Sequence, residues 1–333
     1  MYAFVKYNTM GIFRVLVVLL IITLVAPDSM AVVRRQKNKL TKADYENMYL
    51  TFDMGGGLYT YRYKVDGKKQ NVKPGGTMNI CFNQFFPKGF GYGVGLGASY
   101  YGAATTFSAL ETVEVTDYDV HKYDPDFMTG EPETYTFKTQ FNNISERQHL
   151  VQFEVPVMGM YKLKDMVEKW DLTVALGAKL GVPLMKRFKV TKGDYETSGY
   201  FNSTNVEYSN LPQHKFTDSE SLPKGKSNLS VVSCNLFLDA GCNYHIDRGR
   251  TVYFGLFFTY CITNISKTGG GTVVDVNDLS YNGVLGSSLV DKAHLMGAGA
   301  KVQLCLDFNR VRAIFKGSGR RRTGPYRSTR SIF

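Results

Sequence analysis

Residues Trp170 to Met185 read WDLTVALGAKLGVPLM. One parity carries Trp170, Leu172, Val174, Leu176, Ala178, Leu180, Val182 and Leu184. The other carries Asp171, Thr173, Ala175, Gly177, Lys179, Gly181, Pro183 and Met185. An apolar period of two sustained this long predicts a β-strand with two different faces, because successive side chains leave a strand on opposite sides.

The same alternation recurs along the chain. It appears at Cys234–Ile246, Val252–Ile262, Met296–Phe308, Phe90–Tyr100, Val151–Val157, Leu50–Met54 and Met78–Phe82. Eight strands follow, at about 49–63, 76–85, 89–107, 147–163, 169–189, 229–246, 250–265 and 293–308. The second, fourth and sixth links are short: Phe86-Pro87-Lys88, Lys164–Glu168 and Asp247–Gly249. The third, fifth and seventh, residues 108–146, 190–228 and 266–292, are long and read as polar loops. Short and long links in alternation are the mark of an up-and-down barrel in a bacterial outer membrane, with tight periplasmic turns and long outside loops. A membrane-spanning sheet must also close, since an open edge would strand N–H and C=O groups in hydrocarbon. The expected fold is therefore all-β, an eight-stranded antiparallel up-and-down transmembrane β-barrel. A secreted barrel around an apolar core would give the same alternation with the faces exchanged. Phe90, Tyr92, Tyr100, Trp170, Phe188 and Tyr244, near the ends of the apolar stripes, favour the membrane form.

Composition agrees. Of 333 residues, 44% are hydrophobic, which excludes a disordered chain, and 33 Gly with 22 Phe and 22 Tyr suit strands and tight turns better than helices. The net charge of +11 sits at the ends. Residues 1–47 hold +4 and residues 309–333 hold +8, leaving −1 for 48–308, so a nucleic-acid-binding body is not expected.

Lys6 and Arg14 precede the apolar run Val15–Ala26, followed by Ser29-Met30-Ala31, the layout of a cleavable export signal. The run is too short for a spanning helix. The expected organisation is a signal peptide at 1–31, a polar basic leader at 32–47, the barrel at 48–308 and a basic periplasmic tail at 309–333. Met10 offers an alternative start with a more ordinary basic region.

Val151–Lys162 (VQFEVPVMGMYK), followed by Leu176-Gly177-Ala178-Lys179-Leu180-Gly181, resembles the Bacteroidota outer-membrane β-barrel family, with its OmpA-like or PorT-like eight-stranded barrel. Phe254–Ile265 and Gly299–Phe308 are similar to that family's closing hairpin. The resemblance covers about 48–308 and implies the architecture; the family is broad and lends no catalytic residues. The chain departs from it in continuing past Phe308, where such barrels often end.

By parity Asp53, Glu154, Lys162, Asp171, Lys179, Arg187, Asp239, Lys301 and Asp307 face the lumen. A lumen ion-pair network is expected among Glu154, Lys179, Asp53, Asp239 and Lys301, with Glu154 directly opposite Lys179 if the intervening turn is regular. Such charges form a gate or, in a narrow barrel, a polar filling. Gly89–Gly97 on the inner parity would make room for Tyr59, Tyr61 or Phe257. Cys234 and Cys242 are placed toward lipid, and Cys81, Cys261 and Cys305 toward the lumen. With no CxxC and no His at metal spacing, neither disulfide, metal nor cofactor is expected.

An enzyme would need a nucleophile and base at the outer rim, and His149 and His294 with Ser145, Ser287 and Ser288 are the residues available there. Eight acids across 109–145, Glu111 among them, read as a solvated acidic loop without the order of a calcium site. Arg320, Arg321 and Arg322 in the acid-free tail offer a contact for a periplasmic partner or anionic lipid. The function read from the sequence is a non-enzymatic barrel with a structural or surface-interaction role. An accessory barrel of a secretion or uptake assembly and a lipid-modifying enzyme are the alternatives.

Overall fold

A computed structural model describes residues 47–65, 67, 69–121, 132–167, 169–219, 223–247, 249–266 and 271–308. The expected signal segment, leader and basic tail, with Arg320, Arg321 and Arg322, lie outside these residues.

Among the described residues twelve strands occur, in the order β1 (Met48–Tyr63), β2 (Lys69–Val72), β3 (Pro74–Phe85), β4 (Phe90–His121), β5 (Pro132–Val167), β6 (Trp170–Phe201), β7 (Val206–Ser209), β8 (Asp218–Ser219), β9 (Lys224–Lys226), β10 (Ser233–Asp247), β11 (Arg250–Cys261) and β12 (Ala293–Asp307). A single 3-10 turn, Pro212–His214, lies between β7 and β8. Eight of the strands close into a ring, β1-β3-β4-β5-β6-β10-β11-β12 and back to β1, each pair antiparallel. The fold is an eight-stranded antiparallel up-and-down β-barrel.

Which face is apolar is settled by exposure. Met54, Leu176 and Leu256 are 67%, 64% and 70% exposed, while Asp53, Glu154, Asn235 and Asp239 on the opposite parity are buried. A barrel in water would be turned the other way round. The outer belt of Leu, Phe, Val and Met is what hydrocarbon requires, and the closed ring leaves no strand edge in it. Along β5 the belt runs from Leu163 to Val151, about 40 Å of strand at ~3.3 Å per residue, enough for a tilted crossing. Trp170 and Tyr244, with ring centroids 5.0 Å apart, and Phe90 and Tyr161, 4.7 Å apart, mark the belt's edge at the short-turn end.

The tight turns need special backbone. Gly89 closes the β3–β4 turn at φ +89°, and an added Cβ would sit 2.5 Å from the Lys162 carbonyl oxygen. Turn chemistry of this kind is legible in sequence.

Three expectations need correction at the opposite, long-strand end. First, β4, β5 and β6 do not stop near the belt but continue to His121, from Pro132 and to Phe201, so much of the two 39-residue links is sheet. The pairing of Ala109–Thr116 with Phe141–Thr134 carries the hydrogen bonding well past the membrane belt, and β7, β8 and β9 add to β6. Second, a bulge at Pro183–Met185 against Val151–Gln152 inserts one residue and exchanges the faces of β6 beyond it. Phe188 is therefore buried rather than in an aromatic girdle, and Arg187 is exposed on the outer face rather than in the lumen. Third, residues 271–292 are no polar loop: Val273, Val274, Val284, Leu285 and Val290 are buried against Phe141, Ile144, Phe188 and Val190.

Candidate functional site: a filled lumen and a fastened cap

The lumen is built from the inner parity of all eight strands. Lys179 Nζ lies 3.1 Å from Glu154 Oε2, and Ser99 Oγ and Gln152 donate to the same carboxylate. The direct opposition expected of this pair is not what forms. Glu154 pairs in register with Gly181 and Lys179 with Pro156, because the hairpin reverses between Val167 and Trp170, later in the chain than the symmetric turn expected, and the irregularity between Leu163 and Val167 takes back only part of that offset. The ion pair closes diagonally, over a position where Gly181 has no side chain, a geometry long side chains span readily.

Lys301 pairs with Asp239, which also accepts from the Tyr253 hydroxyl. Asp53 accepts from Asn79 Nδ2 at 2.6 Å. The expected five-residue network is thus two ion pairs and a separate amide-bonded carboxylate. A third cluster sits toward the short turns: Asp171 takes Lys162 Nζ at 3.0 Å and His245 Nε2 at 2.6 Å. Sequence placed His245 on the inner parity but assigned it nothing.

The inner glycines of β4 serve different neighbours from those expected. A Cβ on Gly93, Gly95 or Gly97 would strike Asn83, Cys81 or Asn79. Room for Tyr59 and Phe257 comes instead from Gly55, Gly75 and Gly297 on other strands. Voids open to a water-sized sphere between these side chains measure about 40 and 30 Å³, enough for a few waters. The buried Thr259 hydroxyl, without a protein partner, lines the smaller of these voids and suits such a water. Cys81, Cys261 and Cys305 are buried on the lumen side; Cys242 is exposed and Cys234 half-buried on the outer face.

Above the lumen, 271–292 folds over the mouth and is fastened by two buried carboxylates. Glu146, fully buried on β5, accepts from the Val284 N–H at 3.0 Å, the Tyr281 hydroxyl at 2.8 Å and Gln148 Nε2 at 2.8 Å. Glu111, buried on β4, accepts from the Val273 N–H at 2.8 Å and from the Ser288 hydroxyl. Glu111 is therefore not part of a solvated acidic loop. Burial raises both carboxyls above the ordinary glutamic range, partly offset by these hydrogen bonds. Tyr281 packs at a tilt between Phe188 and Tyr195, at centroid distances of 5.5 and 6.3 Å. Sequence gave Glu146 no role; its place between Ile144 and Gln148 on the inner parity was the available signal.

The rim residues weighed for catalysis go to separate partners. His149 Nδ1 meets the Tyr100 hydroxyl at 2.6 Å on the outer face; His294 Nδ1 meets the Cys261 carbonyl oxygen at 3.0 Å. Ser287 donates to the Val284 carbonyl oxygen and Ser288 to Glu111. Among the described residues neither histidine contacts Ser145, Ser287 or Ser288, and no group of acids, His and Cys is arranged to hold a metal.

No protein-family model and no curated protein matches this chain. Solved structures that resemble it include Neisserial surface protein A, at 11% identity over 78% of this chain and 97% of that one, with a TM-score of 0.31. The outer membrane protein OprG from Pseudomonas aeruginosa matches at 12% identity over 78% and 98%, with a TM-score of 0.30. Ail, the attachment invasion locus protein of Yersinia pestis, matches at 11% over 78% and 99%, with a TM-score of 0.27. At these identities and TM-scores the likeness assigns no role, and the role is read from the chain's own residues.

Proposed function

We propose that the chain is a non-conducting, non-catalytic barrel of a bacterial outer membrane that holds an extended β-sheet outside the cell as a surface for interaction. The observation that carries this is the double closure of the mouth and lumen. Ion pairs and tyrosines fill the barrel, and 271–292 lies over its opening with Val273 and Val284 fastened to Glu111 and Glu146. A barrel built to pass solutes has no use for either feature. The material beyond the belt is what remains to act, and on β5 it runs from Val151 to Tyr135, about 50 Å of strand. Its outer strand β7 is exposed throughout, Val206 and Tyr208 included.

In this orientation the short turns face the periplasm, in keeping with the export signal and with the basic tail as a periplasmic contact. The resemblance of Val151–Lys162 to the Bacteroidota family fits the same placement. Planar-bilayer recording on the refolded chain tests the central point. Silence at ±100 mV (about 2.3 kcal/mol per charge) is expected; ohmic single-channel steps would overturn the reading.

A further inference from the structure

Immediately above the belt, on the outer face of β5, β6 and β9, cations stand in register. Arg147 pairs with Lys189 and Lys189 with Lys224; one row nearer the belt Arg187 pairs with Lys226. All five are exposed, on the side opposite the buried Gln148, Phe188 and Val190. None has a carboxylate within 4.0 Å among the described residues. Like charges set directly opposite one another across strands destabilise a sheet. Two adjacent rows without an acid therefore call for an anion from outside the chain.

A second observation lies just below. Between β1, β3 and β4 the outer wall holds an apolar groove of about 520 Å³, floored by Gly56, Gly76 and Ala98 and walled by Met54 and Met78. Its upper end is Tyr100 and Val151. Tyr100 donates to or accepts from His149, which pairs in register with Arg187 and lies two residues from Arg147 on the same face. Lys73 arrives from the other side, its stem passing over Gly102, where a side chain would crowd it. Groove and cations thus form one continuous surface, apolar where the membrane interior lies and basic where headgroups lie.

We propose that this surface binds one lipid bearing phosphate groups, with an acyl chain in the Gly56–Gly76 groove and phosphate against Arg147, Arg187 and Lys189. The inference rests on the outer-membrane orientation, which makes the occupant a phosphorylated glycolipid of the outer leaflet. Guanidinium groups bind phosphate through paired hydrogen bonds, and the belt edge is water-poor enough to strengthen them. A free phosphate would satisfy the cations but leave the groove without purpose.

Full-length chain refolded in micelles is titrated with bisphosphorylated lipid A, with the same lipid stripped of phosphate, and with inorganic phosphate, and bound lipid is counted by native mass spectrometry. The phosphorylated lipid is expected to be retained at about tenfold lower concentration than the stripped form, with inorganic phosphate not competing at equal concentration. Arg147→Gln with Arg187→Gln and Lys189→Gln should erase that preference, and Gly56→Leu, placed in open space, should weaken both lipids. Equal retention of the two lipids, or inorganic phosphate displacing the lipid, overturns the proposal. Gel mobility of unboiled samples reports the folded barrel for each variant, and surface labelling in cells reports orientation. A folded, correctly oriented barrel without lipid preference sinks this inference alone, whereas labelling of β7 from the periplasm sinks the orientation beneath it.

Discussion

Glu146 shows how a single side chain acts beyond its own strand. It accepts from Val284 and Tyr281 of the cap as well as from Gln148 on its own strand, so removing it strands two donors of the cap at once. Glu146→Ala is expected to weaken cap docking by about 1–3 kcal/mol, read as faster amide exchange at Val284 and easier proteolysis within 271–292. Glu146→Gln keeps an acceptor for Val284 and should lose far less. The same carboxyls set a pH dependence. Because burial raises Glu146 and Glu111, the docked state holds protons more tightly than the undocked one. Their contribution is therefore greatest at acid pH and falls as pH rises from about 4.3, the ordinary value, through the raised one. Exchange protection at Val273 and Val284, corrected for intrinsic rates, should be lower at pH 7.5 than at pH 5, and the double Gln variant should flatten that slope.

The bulge opposite Val151–Gln152 decides what β6 presents on each side. Alternation read straight through from Trp170 puts Arg187 inward and Phe188 outward; the inserted residue reverses both. A membrane-impermeant maleimide should label Arg187→Cys on intact cells and leave Phe188→Cys unlabelled. Inside the barrel, strand pairing makes charges depend on each other. Lys179→Met leaves Glu154 buried without its cation and should cost about 3–5 kcal/mol in urea unfolding of the refolded barrel, much of it recovered by adding Glu154→Gln. The two errors differ in origin: at Arg187 an inserted residue leaves no signature in the period, and at Glu154–Lys179 the period does not say where the turn is centred.

As a whole the molecule divides at the belt into a filled cylinder and a sheet that outgrows it. Long-range pairing of β4, β5 and β6 carries most of the extension, and the cap seals the open side of it with Tyr281, Val284 and Leu285. Since the side chains of the cylinder and the cap close the path independently, deleting 271–292 is expected to leave the barrel non-conducting in bilayers while exposing Phe141, Ile144 and Phe188 to dye binding. Appearance of conductance in that variant would mean that the lumen side chains alone do not block the path.

The sequence by itself determined the number of barrel strands, the closed antiparallel order and the inner parity of Asp53, Glu154, Lys179, Asp239 and Lys301. Each follows from a period of two and from turn chemistry, both local. Only the tertiary structure decided that outer strands run on past the membrane, that a bulge turns Arg187 outward beside Arg147, and that Glu146 and Glu111 hold a distant segment. Those outcomes depend on which strand lies opposite which residue. Register between segments far apart in the chain is set by packing, which no local pattern encodes.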